Sequence, residues 1–106
     1  MGFYTVDVPQ HKKLLESKNL QAVQFITDDN YVASCEGITQ NQYGLIRLHI
    51  NFRGELIVAI YTGGNNIADE KTTFRSLEDA SNYLDKTIPY LEALPQNPHM
   101  SYPVYN

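Results

Sequence analysis

The chain has 106 residues, 42% of them hydrophobic, which suffices for one modest core and not for two. Twelve acids against eight Lys and Arg leave a formal charge of -4, which removes any electrostatic case for nucleic acid or an acidic membrane surface. No apolar run approaches a membrane span, no basic-then-apolar leader is present, and the single Cys35 permits no internal disulfide. The expectation is a soluble, cytoplasmic protein.

Gly2–Val6 is too brief to assign between a strand and an arm. Asp7 is placed as an N-cap and Pro9 in the first turn of a helix running to about Lys18. Val8, His11 and Leu15 fall at helical spacing, with Leu14 beside them, so His11 is expected at the edge of a buried stripe. Asn19 supplies the stop.

Gln21–Thr27 and Tyr31–Glu36 read as a hairpin around Asp28-Asp29-Asn30. A three-residue turn there pairs Phe25 with Ala33 and Val23 with Cys35, leaving Gln24 facing Ser34 on the polar side. Cys35 then sits on the apolar face as a small core residue. Gly37–Gln42 is expected to be a linker.

Tyr43–Thr62 carries the longest period-two alternation in the chain. Ile46, Leu48, Ile50 and Phe52 share one face of its first strand, and Leu45, Arg47, His49 and Asn51 the other. A two-residue turn would mix polar with apolar along a face. A three-residue loop, Phe52-Arg53-Gly54 with Gly54 left-handed, pairs Ile50 with Leu56, Leu48 with Val58 and Ile46 with Ile60. That register yields one wholly apolar face. The opposite face gathers Arg47, His49, Asn51, Glu55, Ile57, Ala59 and Tyr61. Such a mixed face is either covered by the tail or loop 63–75, or meets a partner.

The Gly- and Asn-rich connection from Gly63 matches no phosphate-binding pattern. Lys71–Phe74 is expected to add an edge strand. Ser76 followed by Glu78 and Asp79 is a helix start. Leu77, Ala80, Leu84, Ile88, Leu91 and Leu94 then form a stripe at spacings of three and four. Pro89 predicts a kink near Thr87–Pro89, or two short helices sharing a face. This stripe is expected to cover the apolar side of the sheet. Three prolines after residue 94 predict an extended arm. Met100, Tyr102, Val104 and Tyr105 imply that this arm docks, on its own sheet or on a neighbouring subunit.

The fold expectation is α+β: an antiparallel meander sheet of four or five strands packed on one face by a kinked C-terminal helix, with a short N-terminal helix and an arm over 95–106.

Catalytic and metal patterns are absent from the sequence. The three histidines lie in separate elements, no zinc spacing occurs, no Ser stands in a nucleophile motif, and the adjacent acids suit turns and caps. No cofactor and no metal are expected. The convergent polar set is Arg47, His49 and Asn51, with Glu55 and Tyr61 about 5 Å across the strand pair. Eight tyrosines and no tryptophan also favour contact surfaces. The leading expectation is a non-enzymatic interaction protein that binds a protein partner or itself, as a homodimer, through Arg47, His49, Asn51, Glu55, Ile57, Tyr61, Tyr102 and Tyr105. Accessory or inhibitor proteins of phages and mobile elements have this profile. The alternative is a binding domain for a small anion, or a small enzyme, using His49 and Arg47.

Overall fold

The computed structural model describes residues 8–95 and 97–104; the Gly2–Val6 segment, Asp7 and Tyr105 lie outside them. The element order is α1 (Pro9–Ser17), β1 (Gln21–Phe25), β2 (Ala33–Ile38), β3 (Gly44–Ile50), β4 (Leu56–Thr62), β5 (Glu70–Phe74) and α2 (Leu77–Glu92), followed by a 3₁₀ turn at Pro98–Met100. The strands form one antiparallel sheet in the order β1-β2-β3-β4-β5, so each is joined to the next by a direct turn.

The β3–β4 register is the one that sorts side chains by polarity: Ile50 opposes Leu56, Leu48 opposes Val58 and Ile46 opposes Ile60. The loop closes through Gly54, at φ +80°, a left-handed angle that costs a residue with a Cβ about 1–2 kcal/mol. Asn51 Oδ1 accepts from the backbone N–H groups of Arg53 and Glu55, at 3.0 and 2.9 Å, which fixes this turn from inside.

The first hairpin departs from expectation. Phe25 opposes Cys35, not Ala33, and Gln24 opposes Glu36, not Ser34, a shift of two residues. The even shift leaves each side chain on its expected face. Tyr31 stands outside the ladder, its ring stacked on His49 with centroids 3.9 Å apart, so the loop between the strands is longer than three residues. Asp28 closes the enlarged loop by accepting from Asn30 N–H at 3.0 Å. Farther along β1 the register slips by one between Gln21 and Gln24, a bulge at which Ala22 takes φ +53°. Gly37 is not in a linker but inside β2, under this bulge. A Cβ there would meet Leu20 at 3.0 Å and Val23 at 3.2 Å, so glycine lets the two chains close up.

The apolar side of the sheet is covered by two helices rather than one. Leu15 of α1 and Leu20 after it join Ala80, Leu84, Ile88 and Leu91 of α2 over Cys35, Ile46, Leu48, Val58 and Ile60. The short α1 reaches the core because Asn19, at φ +59°, reverses the chain directly into β1. Val8 holds the cap position of α1 and makes no side-chain cap hydrogen bond. His11 is buried, as its place in the stripe requires. Ser76 caps α2, its Oγ accepting from Asp79 N–H at 3.1 Å. That helix runs as one element through Pro89. Among the described residues no helix is long and apolar enough to cross a membrane.

Candidate functional site

Among the described residues, the second face of the sheet is covered at both ends and open in the middle. Successive residues of β3 on this face are Leu45, Arg47 and His49, and each meets a different environment.

At one end His49 is nearly inaccessible, 1% exposed, beneath the Tyr31 ring. Its Nδ1 lies 2.7 Å from the Ser34 hydroxyl, in a hydrogen bond. Desolvation dominates its titration. Despite the pull of Asp28 the pKa falls to about 4, with Arg47 and Lys71 adding to the drop. The imidazole is therefore neutral near pH 7 and sealed from any ligand. Asn51 and Glu55 are also spent on structure: Asn51 Nδ2 donates to Glu55 Oε1 at 2.9 Å within the turn. Ile57, half-buried, sits directly across from His49. The predicted cluster of Arg47, His49, Asn51 and Glu55 thus shares a face without forming one site.

At the other end the arm folds onto its own sheet. Tyr102 is buried against Ile38, Leu45, Ala59 and Tyr61, forming a second apolar cluster. Its backbone N–H donates to the Gln42 carbonyl at 2.8 Å, and Gln42 Nε2 donates back to the Tyr102 carbonyl at 3.1 Å. The phenol hydroxyl donates to the Asn65 carbonyl at 2.7 Å, tying the arm to the Gly-rich loop. Burial, with Asp69 adding to it, pushes the Tyr102 phenol up to about 12, so it stays protonated. Gly63 and Gly64 (φ +71° and +73°) bring the loop against Met100, and a Cβ at Gly64 would lie 3.1 Å from the Met100 backbone.

Between these covers lies a recess of about 190 Å³. Ala22, Ile38 and Leu45 give it an apolar floor, Tyr61 and Tyr102 aromatic walls, and Asn65 and Asn66 a polar rim. Arg47, Glu36 and Gln24 form its polar side. Arg47 Nε donates to Glu36 Oε1 at 3.1 Å, Gln24 Nε2 donates to Glu36 Oε2 at 3.2 Å, and the guanidinium carbon stands 4.8 Å from the centre of the Tyr61 ring. Burial opposes the charge of Arg47, but the adjoining Glu36 carboxylate and Tyr61 outweigh it and hold the guanidinium above its ordinary range. Side-chain exposure is 31% for Arg47 and 11% for Glu36, so the guanidinium is the accessible half of the pair.

Of the residues singled out from the sequence, Arg47, Tyr61 and Tyr102 line this recess, together with Glu36, Gln24 and Ala22, which the sequence reading did not single out. Their signal was the β1–β2 register, which the Tyr31 excursion and the bulge hide. Cys35 lies on the opposite face, where burial, followed by Glu36, raises its thiol to about 12 and leaves it unreactive near pH 7. Among the described residues no group of His, Cys, Asp and Glu is arranged to hold a metal ion. No family model, curated protein or solved structure matches the chain.

Proposed function

We propose that this chain is a small non-enzymatic interaction protein that holds a protein partner over the recess between Arg47, Tyr61 and Tyr102. The observation that supports this reading most is the state of Arg47. Its guanidinium is oriented by Glu36, backed by the Tyr61 ring, and left partly exposed at a concave site. Arginine and tyrosine held rigidly in a recess are the residue types that dominate binding energy at protein interfaces. The arm contributes from within the molecule, because Tyr102 completes the wall of the recess instead of reaching outward.

Less supports an anionic ligand. Arg47 is neutralised by Glu36, and His49 is uncharged and buried, so neither offers a free positive charge.

The test compares partner capture by the wild type, by Arg47→Ala, by Asn66→Arg at the exposed rim, and by Glu78→Ala on α2 as a control. A partner held by wild type and Glu78→Ala, and weakened at least about tenfold by the two recess variants, supports the reading. Native mass spectrometry identifies whether that partner is a second copy. Equal capture by all four proteins would sink it.

A further inference from the structure

We infer that the recess is a socket for an uncharged phenol ring, and that the anchor it takes from a protein partner is a tyrosine side chain. The inference rests on the interaction reading above and names what that interface recognises.

Size sets the first limit. An apolar cavity of about 150 Å³ is enough for benzene, and this recess holds about 190 Å³. One six-membered ring with a substituent fills it; a nucleotide or a bicyclic cofactor would project out of it. The lining sets the second. Ala22, Ile38 and Leu45 below, with Tyr61 and Tyr102 at the sides, suit a flat apolar body. An aliphatic carboxamide would leave much of that floor uncovered.

The third limit is the polar side. Arg47 uses Nε on Glu36 and Nη1, at 3.5 Å, on the Tyr61 hydroxyl; Nη2 has no hydrogen-bond partner among the described residues. A donor at the edge of an apolar floor calls for one acceptor on the ring, which a phenol oxygen supplies. Charge decides between a phenol and an anion of the same size. Glu36 lines the recess beside Arg47 and is paired with it, Nε to Oε1 at 3.1 Å. One carboxylate against one guanidinium leaves no net positive charge at the site, which disfavours a carboxylate ligand and admits a neutral one.

The experiment follows backbone amide shifts of the isotope-labelled full chain during titration with p-cresol, toluene and benzoate. Saturable shifts centred on Leu45, Arg47, Tyr61 and Asn66 are expected with p-cresol at a Kd on the order of 1 mM. Toluene, lacking the acceptor, should bind at least about threefold more weakly, and benzoate at least about tenfold. Ala22→Leu should abolish the p-cresol shifts by filling the floor. Should Ala22→Leu fail to fold, Asn66→Arg, at an exposed position, replaces it.

Benzoate binding as tightly as p-cresol would overturn the inference, as would shifts that never saturate or that centre elsewhere. Saturable p-cresol binding without any recess-dependent partner would leave the phenol socket standing and remove the protein-partner reading. A partner that depends on Asn66 and Arg47, with no p-cresol binding, would remove the socket and leave the partner.

Discussion

His49 and Arg47 stand two positions apart on one face of one strand, yet their surroundings drive their charges in opposite directions. Arg47 keeps a carboxylate beside it and stays charged; His49 has a hydroxyl and a stacked ring, and loses its charge to desolvation. The His49 shift has a consequence for stability. Its folded pKa, about 4, lies below the ordinary value of 6.5, so below pH 6.5 the unfolded chain binds the proton more readily. Stability from this group is complete above pH 6.5 and is lost as pH falls from there towards 4. Buried His11, lowered by desolvation too, acts in the same direction. Between about pH 7 and pH 5 the wild type should lose about 2 kcal/mol more than His49→Gln, measured by urea unfolding across that range. Parallel curves for the two proteins would show that His49 titrates normally. None of this was legible in the sequence. Alternation placed His49 on the mixed face, but it carries no information on whether a loop residue such as Tyr31 will cover that position.

At the scale of elements, the central hairpin and the helix stripe were legible because each is self-consistent. A single register sorts β3 against β4 by polarity, and a single period lines up Ala80, Leu84, Ile88 and Leu91. What the sequence hid are the contacts that join elements far apart in the chain. The β2–β3 loop holds the end of α2: Asn41 Nδ2 donates to the carbonyls of Leu91 and Leu94 at 2.8 and 3.1 Å, and Glu92 accepts from the backbone N–H groups of Gln40 and Asn41 at 2.8 and 2.9 Å. Near α1, Lys18 pairs with Asp85 at 2.7 Å. These ties explain why α2 runs on as one helix past Pro89. The proline removes a backbone donor, but the last turn is held from outside. Pro89 is itself exposed, so replacing it removes no core packing. Pro89→Ala should therefore raise stability by about 1–3 kcal/mol, read as a higher urea midpoint with an unchanged slope. No gain would mean that the outside ties already cancel the cost of the proline.

The described residues form a sheet with two unequal covers: two helices on one face, and on the other an arm and a loop with a recess between them. The arm determines whether the second face is a surface or an interior. Its residue composition indicated docking, and left open whether the dock was its own sheet or a neighbour's. The intramolecular answer depends on Gly63 and Gly64 letting loop and arm touch, and on Gln42, at φ +61°, presenting its carbonyl to Tyr102 N–H. Ending the chain at Pro95 would uncover Ile38, Leu45, Ala59 and Tyr61, now buried around Tyr102. Burying one large side chain contributes about 1.5–3 kcal/mol, and each hydrogen bond about 1 kcal/mol. With three hydrogen bonds of Tyr102 lost, the truncated chain should lose about 4–6 kcal/mol on that basis, and the apolar face so exposed should drive concentration-dependent association in sedimentation. Because the arm binds within its own chain, a full-length protein whose recess takes a foreign partner should unfold at the same denaturant concentration whatever its own concentration. A midpoint that climbs as the protein is concentrated would instead show that a second copy is engaged, at the recess or through the arm.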